Sequence, residues 1–408
     1  MKCRHCDSDL RNSFLDLGSS PPSNAYLKLE AMIAPEIWYP LRLLVCENCW
    51  LVQTEDHAGR EALFTEDYAY FSSYSSTWLA HAAQYVNEMI PRFNLNAKSC
   101  VIEVAANDGY LLKYMREAGI PNYGIEPTAS TAHAARIKGI EIIERFFGVT
   151  LADELVHADR QADLMIANNV LAHVPDINDF VSGFARLLKH QGVASFEFPH
   201  LLSTVQKNQF DTVYHEHYSY LSLTAVQHIF KANGLTVFDV ERLTTHGGSL
   251  RVFAQRSETG THTPSAAVAA LLQTEIDAGM TTSGFYQGFQ QAAETVKDNL
   301  LLFLIQAKQQ GLKVGAYGAA AKGNTLLNFA GVRPDLVPYV VDKNPAKQGK
   351  WMPGSRIPIV DEAHLMTDQP HLVLILPWNL SQEVMTQLAY VRDWGGRFVV
   401  AVPSLETQ

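Results

Sequence analysis

Four of the five cysteines fall into two pairs with the spacing C-x-x-C, namely Cys3 with Cys6 and Cys46 with Cys49. Brought together, two such pairs offer the four thiolates that a tetrahedral Zn²⁺ ion prefers. A redox pair or two disulfides is the alternative, but a thioredoxin-type C-x-x-C follows a strand, and the stretch from Met1 to Cys6 leaves no room for one. Four protein ligands leave the metal no open position, so the sequence predicts a structural zinc site.

A turn of small and polar residues, Glu103–Gly109, follows an apolar run and opens a helical pattern. Such a turn lets a ligand approach the backbone, and the N-terminus of the helix offers unpaired N–H groups. Glu126 closes the next strand, where an acid is placed to accept hydrogen bonds from both ribose hydroxyls of an adenosine. The G-x-G-x-x-G spacing of dinucleotide sites is absent, and an acid at the start of the turn suits a cationic sulfonium ligand better than a pyrophosphate.

The polar end of a later strand, Ala167–Asp176, completes this pattern, because it is where adenine and the methionine part of a ligand would be clamped. In this order and at these spacings, the three segments favour S-adenosylmethionine (SAM). The candidate SAM-binding residues are Glu103, Ala105, Asn107, Gly109, Glu126, Asn168 and Asn169.

Two histidines, a glutamate and two tyrosines stand together in the segment Tyr214–Tyr218. Histidine exchanges a proton near neutral pH, and tyrosine and glutamate can orient it or polarise a carbonyl. A metal site is a poor match to H-E-x-x-H, because residues i and i+2 of a helix face apart. A polar strand of structurally satisfied side chains is the other interpretation. His200 and the segment His246–Arg251 are further polar points that would line the same cleft.

A second combination of strand, small-residue turn and helix start occurs at Lys313–Gly323, and the next strand ends in the acid Asp342. Taken alone, this pattern is that of a nicotinamide dinucleotide site, which would make the protein an NAD(P)-dependent oxidoreductase. The spacing is loose, and Lys322 at the helix start suits a phosphate of any nucleotide. An oxidoreductase, or a zinc-binding interaction module with a degenerate enzyme body, therefore stays open beside methyl transfer.

Short apolar runs alternate with amphipathic helical stretches from residue 101 onward, which predicts an α/β protein with an open, mostly parallel sheet. The predicted strands are 101–105, 123–126, 141–143, 164–168 and 193–198, and the predicted helices are 110–118, 129–137, 150–157 and 178–188. We expect 235–240 and 249–254 to form a closing antiparallel pair. A long helix at 285–309 then leads to a second α/β block, with strands at 313–317, 337–341, 371–376 and 397–401.

The chain has 408 residues, which exceeds one compact domain of roughly 150 residues. We expect a zinc-binding domain at 1–75, a SAM-binding domain at 76–260 and a C-terminal domain at 261–408. A net charge of -10 argues against nucleic acid and anionic membranes as partners, because a basic surface supplies most of that affinity. No membrane span or secretory signal is visible, so we expect a cytoplasmic protein. We also expect a monomer or a weak oligomer.

In their chain order, these motifs resemble the zinc-containing, SAM-dependent sugar C-methyltransferases of deoxysugar pathways, whose best-known members are nucleotide-sugar 3-C-methyltransferases. The matching motifs are the two C-x-x-C pairs, Glu103–Gly109, Ala167–Asp176, Tyr214–His217, His246–Arg251 and Tyr317–Asn324. The resemblance covers essentially the whole chain. It implies an N-terminal zinc-binding module, a central class I SAM-methyltransferase Rossmann-like domain, and a C-terminal Rossmann-like α/β domain that helps to hold the nucleotide-sugar.

The resemblance also implies roles for single residues. His217 matches the proposed base of the family, with Tyr214 and Glu216 beside it. The implied reaction methylates C3 of a 4-keto-6-deoxy sugar linked to a nucleotide such as dTDP or GDP, through an enolate. Ala105 stands where many methyltransferases have glycine, so its methyl group is expected to crowd the methionine part of SAM. The residues expected to bind the substrate are Tyr74, His173, His200, His246, Arg251, Tyr317, Lys322 and Asn324.

Overall fold

The computed structural model describes residues 1–57, 59 and 71–408, and these form three β-sheets. The N-terminal part contributes β1 (Asn12–Ser20), β2 (Tyr39–Val45) and β3 (Val52–Thr54). The middle part contributes α1 (Ser76–Arg92), β4 (Val101–Val104), α2 (Leu112–Glu117), β5 (Asn122–Ile125), α3 (Ala129–Ile137), β6 (Ile142–Ile143), α4 (Val149–His157), β7 (Ala162–Asn168), α5 (Ile177–Leu187), β8 (Leu188–Pro199), α6 (Leu201–Gln206), β9 (Ser219–Tyr220), α7 (Leu223–Ala232), β10 (Leu235–Leu243) and β11 (Ser249–Arg256). The C-terminal part contributes α8 (Ala266–Asp277), α9 (Phe289–Gln309), β12 (Val314–Tyr317), α10 (Ala321–Phe329), β13 (Val340–Val341), β14 (Ile359–Val360), α11 (Ala363–Asp368), β15 (Leu372–Ile375), α12 (Ser381–Gln387), β16 (Arg397–Val400) and β17 (Glu406–Thr407).

The first sheet is antiparallel and has the strand order β1-β2-β3-β9. Two of its strands, β1 and β2, occupy the long segment between the cysteine pairs, and Cys46 and Cys49 lie in the connection between β2 and β3. The fourth strand, β9, comes from the middle part and follows directly after the segment Tyr214–Tyr218. The sheet therefore joins the cysteine pairs to the histidine-rich segment.

The second sheet has seven strands in the order β10-β11-β8-β7-β4-β5-β6. Strands β4 to β8 pair in parallel, whereas β11 pairs antiparallel with both β8 and β10. The predicted parallel sheet and its closing antiparallel pair are thus confirmed. The helices between the strands form within about two residues of the predicted bounds, and β8 is longer than predicted because it begins at Leu188, directly after α5.

The third sheet has the order β14-β13-β12-β15-β16-β17 and is parallel except for β17. All four strands predicted for this block form, but only Val340–Val341 of the predicted 337–341 strand joins the sheet. Pro338 lies just before this strand and has no N–H group for a ladder. The predicted helix at 285–309 begins at Phe289, after Gly288 in the left-handed conformation (φ 87°).

The N-terminal and C-terminal parts share one hydrophobic core. Phe14 of β1 stacks on Phe289 of α9 with ring centroids 4.9 Å apart, and Leu43 and Leu300 are fully buried in the same core. Because truncating a buried aromatic side chain to alanine costs about 3–5 kcal/mol, this core holds the first sheet firmly against the C-terminal part.

Helix α9 has 21 residues, which is long enough to cross a bilayer, but it is not apolar enough to do so. Within the described ranges, no other helix meets both requirements of a membrane span either.

Candidate active site

A cavity of about 340 Å³ opens at the carboxyl ends of β4, β5 and β7, where parallel α/β sheets bind their ligands. Its walls come from all three parts of the chain. Asn24 enters from the N-terminal part, and Ala321 and Lys322 enter from the start of α10. The predicted site residues that line this cavity are Ala105, Asn107, Glu126, Asn168, Asn169, His173, Tyr214, Glu216, His217, His246 and Lys322.

The turn between β4 and α2 enters the left-handed region three times, at Ala105 (φ 58°), Asn107 (φ 49°) and Gly109 (φ 73°). Beneath it, β5 passes very close at Gly124, where a Cβ atom would stand 2.6 Å from the Cβ of Ala106. The glycine therefore lets the turn lie directly against the sheet. In this position, the turn presents Ala105 and Asn107 to the cavity.

The carboxylate of Glu126, at the end of β5, holds this turn in place. Its Oε2 atom accepts a hydrogen bond from the N–H of Asn107 at 3.0 Å, and its Oε1 atom accepts one from the N–H of Thr128 at 2.9 Å. Burial raises the pKa of Glu126, although the backbone donors partly offset that effect. Because Glu126 also lines the cavity, its carboxylate is placed to accept hydrogen bonds from ribose hydroxyls.

Asn168 ends β7, and Asn169 follows it in the left-handed conformation (φ 54°). The Oδ1 atoms of both side chains are buried and accept no hydrogen bond from any residue of 1–57, 59 and 71–408. A buried acceptor without a donor costs about 1–3 kcal/mol, so a ligand that donates here is favoured. The ammonium group of SAM is such a donor, and apolar walls such as Ile125 and Phe147 suit its adenine ring. The residues at these three strand ends therefore fit SAM.

His217 lies buried in the wall of the cavity, next to Tyr214 and His173. Its Nδ1–H donates to the carbonyl oxygen of Thr212 at 2.9 Å, which leaves the lone pair of the neutral ring on Nε2. The ring centroid lies 4.0 Å from that of Tyr214 and 4.5 Å from that of His173. Burial lowers the pKa of His217 well below its usual range, and the neighbouring His173 lowers it further. The imidazole is therefore neutral near pH 7 and can accept a proton.

His173 and His246 occupy a similar environment at the cavity wall. Burial lowers the pKa of each to about 4, so both are neutral near pH 7. His246 adopts a left-handed backbone conformation (φ 50°), and its Nε2 atom lies 3.3 Å from Nδ2 of Asn169. The amide of Asn169 therefore donates to His246, which ties the end of β7 to the connection between β10 and β11.

Lys322 brings a positive charge to the cavity from the first turn of α10. Its Nζ atom donates to Oδ1 of Asn379 at 2.6 Å and lies 4.4 Å from the ring centre of Trp378. Burial lowers the pKa of Lys322 to about 8, and the carboxylate of Asp211 opposes this shift. Lys322 is therefore still mostly protonated at pH 7 and can attract an anionic substrate group.

Two predicted SAM-binding residues, Glu103 and Gly109, do not line the cavity. Glu103 lies within β4 and is only 1% exposed. Gly109 packs toward α3, where a Cβ atom would meet that of Ala135 at 3.2 Å. Glu103 thus lies in the strand that precedes the turn and Gly109 at the far end of the turn, so we expect both to contribute to the SAM site through the shape of the turn.

His200 and Arg251 contact buried carboxylates and do not line the cavity. Nε2 of His200 lies 2.7 Å from Oε1 of Glu275, whose carboxylate also accepts two backbone N–H groups at the start of α7. Arg251 pairs with the buried carboxylate of Glu197 at 3.2 Å. The structure thus places both side chains outside the cavity lining, with buried carboxylates as their partners.

The remaining three predicted substrate residues also lie away from the cavity. Tyr74 is 67% exposed and contacts the ring of Phe71. The hydroxyl of Tyr317 accepts a hydrogen bond from Gln387 within the C-terminal part, and Asn324 is fully buried in α10. The motif Tyr317–Asn324 forms the end of β12 and the start of α10. Of the substrate residues predicted in this motif, only Lys322 lines the cavity.

Among the cavity residues that were not predicted from the sequence are Asn24, Trp78 and Lys347. Asn24 lies in a Pro/Ser-rich loop, and its Nδ2 atom donates to Oε2 of Glu216 at 2.6 Å. The ring of Trp78 lies 5.3 Å from that of His246. No spacing signal marks any of them, because a single residue in a loop or helix gains its role only when distant segments meet.

The four predicted zinc ligands lie together, and their Sγ atoms are all within 4.8 Å of one another. The Sγ–Sγ distance is 3.6 Å between Cys3 and Cys49, and 3.5 Å between Cys6 and Cys46. A tetrahedral ion with Zn–S bonds of about 2.3 Å separates its sulfur ligands by about 3.8 Å. The cluster therefore has the size and ligand set of a closed Zn²⁺ site.

The two cysteine pairs also share one backbone geometry. Asp7 and Trp50, which follow the second cysteine of each pair, are both left-handed, with φ of 59° and 60°. Each donates its N–H to the carbonyl of the first cysteine of its pair, at 3.0 and 2.8 Å. Cys100 lies outside the cluster and is partly buried, and burial raises the pKa of its thiol. The first four cysteines thus fit a structural zinc ion, and the fifth behaves as a packing residue.

Comparison with known proteins identifies the family. Residues 244–403 match the model of a C-methyltransferase C-terminal domain, residues 3–64 that of a zinc binding domain, and residues 78–240 that of a methyltransferase domain. C-methyltransferase NovU of Streptomyces niveus is 32% identical over 402 residues, which cover 98% of this chain and 95% of that protein. This chain belongs to the zinc-containing C-methyltransferase family.

Two solved structures show more distant likeness to this C-methyltransferase. Magnesium protoporphyrin IX methyltransferase from Synechocystis PCC 6803 with bound SAM is 16% identical, with a TM-score of 0.33 over 44% of this chain and 82% of its own. An S-adenosylmethionine-dependent methyltransferase from Clostridium acetobutylicum is 10% identical, with a TM-score of 0.36 over 45% of this chain and 92% of its own. The family assignment rests on the full-length relative and the three family models.

These matches confirm the predicted fold class and enzyme class, a SAM-dependent C-methyltransferase with a structural zinc module. They decide against the oxidoreductase that the segment Lys313–Gly323 suggested. In the structure, this chain itself occupies the polar groups of that turn. The carbonyl of Ala319 accepts hydrogen bonds from Tyr26 at 2.6 Å and from Lys347 at 2.8 Å, and its N–H donates to Asp342 at 2.8 Å.

Proposed function

We propose that this C-methyltransferase methylates C3 of a nucleotide-linked 4-keto-6-deoxy sugar, with His217 as the base. The orientation of His217 carries the proposal: Nδ1–H is bonded to the carbonyl of Thr212, so the basic lone pair resides on Nε2 of a cavity-lining imidazole. Methylation at carbon follows from the family. The sugar, its nucleotide and position C3 are supported by the motif resemblance.

Proton removal is the first step of this reaction. A ketone next to the reacting carbon makes its C–H acidic enough for an enzymic base. Nε2 of His217 takes the C3 proton, and the C–H electron pair moves into a C3–C4 double bond, which places negative charge on the C4 oxygen. The lowered pKa of His217 keeps Nε2 unprotonated beforehand, and the hydrogen bond to Thr212 steadies the imidazolium that forms.

The enolate oxygen must be stabilised by a donor in the cavity. We assign this role to the hydroxyl of Tyr214, because its ring lies 4.0 Å from that of His217 on the same wall. Glu216 lies between these two residues in the chain, and Asn24 fixes its carboxylate. Glu216 thereby holds the segment from Tyr214 to His217 against the N-terminal part.

When bound, SAM supplies an electrophilic methyl group on a sulfonium. Glu126 would hold its ribose, Asn168 and Asn169 its ammonium group, and the turn at Ala105 and Asn107 its methionine part. This turn and the Tyr214–His217 segment border one cavity. The two segments contribute to methyl transfer by holding the methyl donor and the sugar carbon close together. Such positioning can lower the barrier of a bimolecular reaction by up to about 7–11 kcal/mol.

Lys322 is the residue that we assign to the diphosphate of the nucleotide-sugar. Its ammonium group lines the cavity in the first turn of α10, and backbone N–H groups at a helix start favour anions. The C-terminal part would thus hold the nucleotide, while the middle part carries the sugar carbon and the methyl donor.

The proposal is tested by incubating the enzyme with SAM and a panel of 4-keto-6-deoxy sugars linked to dTDP or GDP. We expect one panel member to gain the mass of one methylene, with NMR placing the new methyl group on C3. NAD(P)H should not be consumed. A methyl group on oxygen or on another carbon would contradict the C3 assignment, and no mass gain from any member would contradict the substrate class.

A further inference from the structure

Arg4 lies between Cys3 and Cys6 in the first cysteine pair, yet its side chain is only 4% exposed. One nitrogen, Nη1, donates to the carbonyl of Pro175 at 2.9 Å, and the other, Nη2, donates to the carbonyl of Thr54 at 2.9 Å. The guanidinium also lies 5.3 Å from the ring centre of Tyr218. A single side chain of the zinc module therefore contacts the loop after β7 and the residue next to His217.

A second connection runs from the cysteine cluster through strand β3. Nε2 of Gln53 donates to Sγ of Cys3 at 3.3 Å, and Oε1 of Gln53 accepts the N–H of Arg4 at 2.9 Å. The next residue, Thr54, donates its hydroxyl to the carbonyl of His217 at 3.1 Å and its N–H to the carbonyl of Tyr218 at 3.1 Å. Two hydrogen bonds from Thr54 thus fix the backbone on which the His217 imidazole stands.

A third connection holds the loop that carries His173. Nδ1 of His5 donates to Oδ1 of Asn178 at 2.8 Å, and Nδ2 of Asn178 donates to the carbonyl of His5 at 2.8 Å. Asn178 lies in the first turn of α5, directly after the cavity-lining loop. The N–H of Tyr218 donates to the carbonyl of Ala172 at 2.8 Å, which joins this loop to the His217 segment.

We propose that the zinc module positions the two histidine segments of the active site, with Arg4 and Thr54 as its positioning residues. A bound tetrahedral ion fixes the backbone between Cys3 and Cys6, and groups around the ligands transmit that order. The planar guanidinium of Arg4 holds two carbonyls at once with donors in a fixed geometry, whereas a lysine ammonium is a flexible point charge. Neither residue touches substrate, so each acts only through the placement of His217 and His173. The inference rests on the proposed role of this cavity in methyl transfer.

The test compares Arg4→Met, which keeps an apolar stem but removes the donors, with Arg186→Met, which removes a 52% exposed surface arginine. We expect Arg4→Met to lower kcat about 10- to 100-fold, since a displacement near 1 Å can cost that much. Zinc content should stay at one ion per chain. The KM for SAM and the calorimetric Kd for SAM should each stay within about twofold of wild type. Arg186→Met should match wild type in all four measurements.

The pair Thr54→Val and Thr54→Ser tests the second connection and decides the outcome if Arg4→Met does not fold. We expect Thr54→Val to lower kcat about tenfold with unchanged zinc content, and Thr54→Ser to restore it, because serine keeps the hydroxyl that His217 requires. Wild-type kcat in Arg4→Met or Thr54→Val would overturn the proposal. So would loss of zinc or an equal loss of SAM affinity, which would show a role in folding alone. A failure of the His217 base assignment can be distinguished from a failure of this proposal, because the His217→Asn variant would then still turn over.

Discussion

The imidazole rings of His173 and His217 meet edge to face, with centroids 4.5 Å apart and ring planes at 68°. Both rings are buried, and the pKa of each lies below that of a free histidine. Two imidazolium ions at this distance would repel each other, so a proton on one ring disfavours a proton on the other. The pair therefore presents a neutral base to the cavity over a wide pH range.

Replacing His217 by asparagine should stop turnover without emptying the SAM site. We expect kcat to fall at least about 100-fold, because general base catalysis contributes about 10²–10⁴. The calorimetric Kd for SAM should change less than about twofold, since the residues proposed to bind SAM lie at the ends of β4, β5 and β7. His190→Asn, at an exposed position, is the control and should keep wild-type kcat. A His217→Asn enzyme with wild-type kcat would contradict the base assignment.

A plot of kcat/KM against pH should be bell-shaped, with its acidic limb at a lower pH than the usual histidine pKa of 6.5. His217 must be neutral to act, and its pKa lies well below the usual 6.5, so activity should persist at pH 6.5 and fall only at lower pH. In its proposed role Lys322 must be protonated to bind the diphosphate, and its pKa of about 8 predicts a loss of kcat/KM as pH rises above that value.

The matched variant for this profile is Lys322→Arg, because arginine keeps its charge at every pH of the assay. We expect the upper limb of kcat/KM to move to higher pH in this variant while the lower limb stays in place. A lower limb at or above pH 6.5 in the wild-type enzyme would contradict a buried, neutral His217.

Ala105→Gly should stabilise the protein, because Ala105 holds a left-handed conformation (φ 58°) that costs an L-residue about 1–2 kcal/mol. Part of this gain is lost to the greater entropy of the unfolded chain, so we expect the free energy of unfolding in urea to rise by up to about 1 kcal/mol. Ala106→Gly is the control, because Ala106 is fully buried, and it should lower that free energy. A destabilised Ala105→Gly protein would show that the methyl group is needed.

His200→Leu should weaken the fold but not the binding of SAM. The imidazole donates to the buried carboxylate of Glu275, and losing a hydrogen bond to a charged group costs about 1.5–3 kcal/mol. We expect that decrease in the free energy of unfolding, with a Kd for SAM within about twofold of wild type. His133→Leu, at an exposed position on α3, should change stability by less than about 0.5 kcal/mol. A selective loss of substrate affinity would instead return His200 to the substrate site.

The sequence determined those features that depend on short-range spacing. Two C-x-x-C pairs specify a zinc knuckle each, because the ligands of one knuckle are neighbours in the chain. Alternation of strands and helices determined the parallel sheet, and the turn at Asn107 with the acid Glu126 followed from the strand order alone, since carboxyl ends of parallel strands share one edge. The segment from Tyr214 to His217 was recognisable from its composition.

Only the tertiary structure decided which polar residues reach the cavity. His200 has the same side chain as His217, and Arg251 has the same charge as Lys322, but their partners are Glu275 and Glu197, buried carboxylates brought to them by packing. Asn24 and Arg4 became part of the site or its support through contacts with residues more than 150 positions away, Glu216 and Pro175. A side chain's partner is set by long-range packing, and local sequence carries no information about the segment that will arrive beside it.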